Sequence, residues 1–255
     1  MIPSVYVLGA GFWTPGFADW SSFVAGVPNA ALVEPATAGI PVRILRGTSL
    51  ATRMALDVAM QAIAEGGADA TTIPAVFGSY LGEIQTALAM LDTIHAEGVP
   101  SPLRFTNSVH NAAAGSFSIA FGNRAASTSV CAGDDLVAIA LLEAFSWLAM
   151  HPGPMLVALS EETVPAPLPG AGETVALGVG LLLSTDNPGG DAPSLAALER
   201  GACRPMNRDR AFGRNPVAPG VALLRALRDG FEGTVALSSD DDPPWTVCVA
   251  PGGRA

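Results

Sequence analysis

Thr106 to Ala149 reads TNSVHNAAAGSFSIAFGNRAASTSVCAGDDLVAIALLEAFSWLA, and this stretch decides the fold. Its first part is rich in Ala, Gly and Ser and ends at Phe121-Gly122-Asn123-Arg124, a glycine stop after an apolar helical run. Ala125 to Val130 alternates small and β-branched residues and predicts a strand. Leu136 to Met150 carries Leu136, Ile139, Ala140, Leu142, Ala144 and Trp147, apolar around most of the circumference, and predicts a helix inside the core. Helix, strand and buried helix in succession are the grammar of a layered α/β protein.

Working outward, the same alternation continues. Val5-Tyr6-Val7-Leu8-Gly9-Ala10-Gly11 predicts an opening strand that turns at Thr14-Pro15-Gly16, and Trp20, Phe23, Ala25 and Gly26 mark a short helix. Thr48 to Ala64 predicts a helix with Met54, Leu56, Val58, Ala59 and Ile63 on a broad apolar face. Ala75 to Ser79 reads as a buried strand and Glu83 to Ile94 as a helix, while Met155 to Leu159 and the almost wholly apolar Thr174 to Ser184 suit a sheet covered on both faces. Thr185 to Pro193 and Arg200 to Pro219 are rich in Pro, Gly, Asp, Asn and Arg and read as loops. Val221 to Arg228 predicts a helix, and Thr234 to Leu237 and Trp245 to Val249 predict terminal strands.

The segment around Phe121-Gly122-Asn123-Arg124, with the opening strand and the Trp20 helix, resembles the N-terminal half of β-ketoacyl synthases of the thiolase-like superfamily, over about Ser4 to Ser184. The resemblance implies a thiolase-like half-fold, a β-α-β-α-β core with a mixed sheet covered by helices, and a C-terminal half cut short. Residues 1–185 are then a ketosynthase-like domain, and residues 186–255 an extension packed on it. A ketosynthase packs two such halves as a five-layered sandwich and is well over half as long again as these 255 residues.

In that family a nucleophilic cysteine stands between the strand and the buried helix. An ungapped alignment from Phe121 puts it at Asp134, aligning Leu136-Val137-Ala138-Ile139 puts it at Ala132, and a larger deletion puts it at Cys131. A thiolate at a helix N-terminus is stabilised by the helix dipole, but carboxylates at Asp134 and Asp135 would oppose it. Gly133-Asp134-Asp135 is therefore expected to cap the helix and compensate its dipole, and Cys131 to be a small buried side chain.

What the chain lacks points the same way. Elongating ketosynthases draw two histidines, or a histidine and an asparagine, and a lysine from their second half. Here all thirteen basic residues are arginine and the last histidine is His151. Arginine stays charged at physiological pH and cannot relay protons as they do. No catalytic residue is expected.

The resemblance then narrows to chain length factors, ketosynthase-like subunits without a nucleophile that pair with an active ketosynthase, and to the short form found in aryl polyene and xanthomonadin-like type II polyketide systems. It implies a heterodimer with a full-length β-ketoacyl synthase, contact with acyl carrier protein through that complex, and control of chain length in polyene or fatty-acid-type biosynthesis. Pairing runs through the edge strand Ser127, Thr128, Ser129 and Val130, while Phe105, His110, Asn111 and Phe117 are candidates to line the partner's tunnel. Two alternatives stay open: a stand-alone acyltransferase or hydrolase using Cys131 and His110, or an acyl-binding module without a ketosynthase.

Composition agrees with a protein that buries much surface. Hydrophobic residues make up 49% and charged residues 14% of the chain, and the net charge of -10 repels nucleic acid and anionic membrane. Neither a membrane-spanning run nor a basic leader is visible, so a cytoplasmic location is expected. Cysteines 131, 203 and 248 have no metal-ligand spacing, Gly9-x-Gly11 followed by Gly16 is not a dinucleotide fingerprint, and no cofactor or metal is expected. The glycines read as a tight strand exit, His110 as a structural hydrogen-bonding group, and Glu161-Glu162 and Asp240-Asp241-Asp242 as solvated charge runs.

Overall fold

The computed structural model describes residues 4–37, 39–100, 102–189, 192–201, 210–238 and 243–252. Cys203 and Asp240 to Asp242 lie outside them. Among the described residues one eight-stranded mixed sheet has the order β3-β2-β4-β5-β1-β6-β8-β7. Its strands are β1 (Val5–Trp13), β2 (Ala75–Gly78), β3 (Ser127–Val130), β4 (Pro154–Glu161), β5 (Leu177–Ser184), β6 (Ser194–Arg200), β7 (Gly233–Ala236) and β8 (Trp245–Ala250). The helices are α1 (Trp20–Ala25), α2 (Val42–Leu45), α3 (Leu50–Gly66), α4 (Ile84–Glu97), α5 (Pro102–Thr106), α6 (Ala112–Phe121), α7 (Leu136–Met150) and α8 (Ala218–Arg228). This is the thiolase-like half-fold expected from the sequence.

β2, β3 and β4 are parallel, and every other pairing is antiparallel. From β2 the chain passes through α4, α5 and α6 to β3 on one side, and from β3 it returns through α7 to β4 on the other. The two crossovers move in opposite directions along the sheet, so right-handed connections place α6 and α7 on opposite faces. The packing agrees. Ala114 and Phe117 of α6 join α3 in one apolar cluster, and Leu136, Leu141, Phe145 and Leu148 of α7 join α8 in the other.

Helix α3 starts at Ser49, whose Oγ accepts from the Thr52 amide, and stops at Gly67 in the left-handed conformation. It lies directly on β1 and β5. A Cβ at Gly11 or Gly180 would run into the backbone carbonyl of Val58. Gly9 and Gly11 are therefore mid-strand contacts rather than a strand exit. On the same helix Gln61 Oε1 accepts from the Phe12 amide at 3.1 Å and Glu65 Oε2 from the Ala10 amide at 2.8 Å. One helical turn between the two acceptors, about 6 Å, matches the about 6.8 Å between alternate strand amides.

Two elements depart from the sequence reading. Ser194–Arg200 forms β6 in the gap between two expected loops, where no element was expected, and α8 begins at Ala218, inside the run assigned to a loop. Pro219 stands within the first turn of α8, where its missing amide costs nothing. Strand β6 meets β1 only at Val5 and Tyr6, then carries β8 and β7 onward as one antiparallel set.

Candidate functional site

Ligands of open α/β sheets gather outside the carboxyl ends of the strands, where successive connections leave in opposite directions. Here β2 is flanked by β3 and β4 at such a point. Three segments meet there: the turn Ser79 to Glu83 after β2, residues Cys131 to Asp135 after β3, and Glu161-Glu162 at the end of β4.

Gly133–Asp135 is a short 3-10 turn leading into α7, and neither the turn nor the helix has a side-chain cap. The expected capping by these aspartates is therefore absent, although both still lie at the positive end of α7. Asp134 is exposed, and Asp135 Oδ2 accepts from Arg200 Nη2 of β6 at 2.9 Å. The Arg200 guanidinium in turn lies 5.1 Å from the centre of the Trp245 ring. Ala132 is half-buried before the turn. The C-terminal strands β6 and β8 thus reach back to the turn before α7 through Arg200 and Trp245.

Cys131 is exposed rather than buried, and its Sγ donates to the Tyr80 carbonyl at 3.1 Å. His110 Nε2 lies 2.9 Å from the Ser79 carbonyl, so that nitrogen carries the proton and donates. Both candidates of a Cys-His dyad therefore reach one turn, but they engage adjacent carbonyls and no hydrogen bond joins them. His110 behaves as the structural group the sequence suggested.

Glu161 and Glu162 are not a solvated run. They are 1% and 4% exposed, and Glu83 is 6% exposed beside them. Glu161 Oε2 accepts from Ser79 Oγ at 2.9 Å and from the Tyr80 amide at 2.6 Å, with the Leu81 amide 3.2 Å from Oε1. Glu162 Oε1 accepts from the Ala51 amide at 2.6 Å in the first turn of α3, and Glu83 Oε1 accepts from Ser49 Oγ and Thr52 Oγ1. Burial pushes the Glu161 carboxyl up to about 7, against those hydrogen bonds and with a contribution from the Glu162 charge. Burial raises Glu83 and Glu162 as well. A cavity of about 20 Å³, room for one water, is lined by Thr52, Ser79, Glu83, His110 and Ser160. Sequence reasoning missed this cluster because nothing in Glu161-Glu162 tells a solvated pair from a buried one. The apolar run before it, Met155 to Leu159, was the available hint.

The remaining sequence candidates separate by exposure. Phe117 is 2% exposed and packs between Phe77 and Phe121 in this chain's own core. Phe105 is 59% exposed on α5, and Asn111 is exposed at the start of α6. β3 forms the free edge of the sheet. The carbonyls of Ala126 and Val130 accept from Ala75 and Ser79 of β2, which points the backbone groups of Ser127 and Ser129 outward. Among the described residues, no group of three or more His, Cys, Asp or Glu has the geometry to hold a metal ion. No described helix is long and apolar enough to cross a membrane.

The sheet order, the glycine-lined seat of α3 and the buried helix after the edge strand define a thiolase-like protein. Residues 18–230 match the β-ketoacyl synthase N-terminal domain family, and the chain belongs to it. No curated protein matches it by sequence. Its fold is similar to a chain from the ketosynthase ApeO in complex with its chain length factor ApeC from Xenorhabdus doucetiae, with a TM-score of 0.69 and 19% identity. That match covers 97% of this chain and 99% of the other. Similar too are a chain of the ishigamide ketosynthase/chain length factor, with a TM-score of 0.56, 19% identity and 89% and 72% of the two chains covered, and one of AntDE:AntF, a type II polyketide synthase acyl carrier protein in complex with its ketosynthase. The latter match has a TM-score of 0.58 and 19% identity, and covers 72% and 63%.

Proposed function

We propose that this chain is a chain length factor, the non-catalytic half of a heterodimer with a full-length β-ketoacyl synthase, and that it helps shape the partner's acyl tunnel in aryl polyene or similar type II synthesis. The observation that carries the reading is the turn at Asp134, where the ungapped family register needs a cysteine. It presents an exposed aspartate, fastened through its neighbour Asp135 to Arg200, in a chain without lysine and with no histidine after His151.

Surface and edge support pairing. All 14 residues of α4 escape full burial, although Ala87, Leu88, Met90, Leu91 and Ile94 give it an apolar side. Leu91, Val99, Phe105 and Ile119 are 57%, 70%, 59% and 62% exposed. So much apolar surface beside a free edge strand suits an obligate interface, which buries about 2,000 Å² or more. Of the tunnel candidates, Phe105 is available to a partner, while Phe117 serves the core.

Co-expression with a full-length ketosynthase tests the pairing. The two chains are expected to co-purify one to one. Ser129→Pro, which removes an outward amide from β3 without touching its bonds to β2, is expected to release the partner while leaving this chain folded. A stable monomer that ignores the ketosynthase, or a complex indifferent to that proline, would count against the reading.

A further inference from the structure

Glu83, Glu161 and Glu162 come from the turn before α4 and the end of β4, and together they tie that turn to the first turn of α3. Each is at least nine-tenths buried, and among the described residues none has an arginine as a hydrogen-bond or ion-pair partner. The titratable groups that face the cluster are few. His110, from the approach to α6, is the basic one and acts on Glu83. Cys131 and Tyr80 flank the turn, and on the far side Asn215 Nδ2 donates to the Glu161 carbonyl at 3.5 Å.

Three buried carboxyls with no arginine partner disfavour full ionisation, and burial favours the protonated form of each. The turn they hold is an exposed feature. Tyr80 is 48% exposed, and a Cβ added at Gly133 would lie 3.8 Å from its Cε2, so the ring edge stands beside that turn. Its carbonyl receives the Cys131 thiol.

We propose that the Glu83, Glu161 and Glu162 cluster is a proton-controlled brace: with a proton held among the three carboxyls, the turn Ser79 to Gly82 is locked against β3 and α7, and loss of that proton frees it to open. The direction follows from linkage. A carboxyl whose ordinary value is 4.5 and which rises to about 7 in the closed turn must release its proton when the turn opens and hydrates it. Opening is therefore hardest below about pH 4.5, becomes easier as the pH rises to about 7, and changes no further above that.

Amide hydrogen exchange of Tyr80 and Leu81 in the full chain, corrected for intrinsic exchange, reads this directly. Protection is expected to fall by up to about tenfold per pH unit between pH 5 and 7 and then level off. Glu161→Gln keeps an acceptor without a charge and is expected to remove the dependence. Glu162→Gln takes away the neighbouring charge and is expected to move the levelling-off to lower pH. Protection that stays constant from pH 5 to 8 in the unmodified chain would overturn the proposal, as would the unmodified pH profile persisting in Glu161→Gln. The unmodified chain decides the matter even if a variant fails to fold.

Discussion

Two pairs of adjacent carboxylates sit at the same end of the sheet, Asp134-Asp135 after β3 and Glu161-Glu162 after β4. In sequence they look alike. In the fold Asp134 is exposed and Asp135 has Arg200 for a partner, whereas Glu161 and Glu162 are buried and satisfied by backbone amides and a serine. The first pair lies where the ungapped family register would put a nucleophile, and Asp135 is held from outside by Arg200 of β6. The second holds the scaffold together from within. The difference teaches that two carboxylate pairs at one end of the sheet do different structural work, one as a partly solvated joint to the C-terminal strands and the other as a buried frame.

The largest effect should separate the two pairs outright. Glu161→Ala leaves Ser79 Oγ and the Tyr80 and Leu81 amides without their acceptor. At pH 6 it is expected to cost about 1–3 kcal/mol in urea denaturation, the usual range for a stranded buried donor. Asp134→Ala should change stability by less than about 0.5 kcal/mol, as for an exposed side chain without a partner contact. Equal losses from the two substitutions would erase the contrast.

How much of this was legible depends on which physical signal each residue carries. Leu136 to Met150 was readable to the residue because fifteen mostly apolar residues are too long a run for a buried strand, and Thr48 to Ala64 was readable within two residues because Ser49 and Gly67 punctuate it. β6 was not readable. Ser194–Arg200 ends in Glu199-Arg200, and its pairing with β8 is irregular between Ala196 and Glu199, so the period of two is lost. The site was half legible: the segment after β3 that enters α7 was readable as a candidate site, but the exposure of Cys131 and the burial of Glu161-Glu162 are set by long-range packing that no local pattern encodes.

A smaller effect sharpens the account of the outer pair. The Asp135 and Arg200 side chains are 20% and 43% exposed, so their ion pair is partly solvated. Asp135→Asn is expected to cost about 0.5–1 kcal/mol, with the loss shrinking as salt is raised. A loss of several kcal/mol that ignores salt would mean that the outer joint carries as much of the fold as the inner one.

The smallest expected effect is the most informative about function. Asp134→Cys restores a thiol where the ungapped register puts the family nucleophile, at the positive end of α7, where a thiolate is favoured. It is nonetheless expected to produce neither condensation activity nor acyl transfer. Asp135 remains the next residue to the new thiol, and His110 has its Nε2 proton committed to the Ser79 carbonyl. No lysine exists anywhere in the chain to assist a carbanion. Intact-mass measurement after incubation with acyl and malonyl carrier proteins, in a Cys131→Ser background, gives the answer. A stoichiometric adduct on Asp134→Cys followed by carbon-carbon bond formation would show that the corner is still a working active site lacking only its sulfur, and the structural-joint account would fall with it.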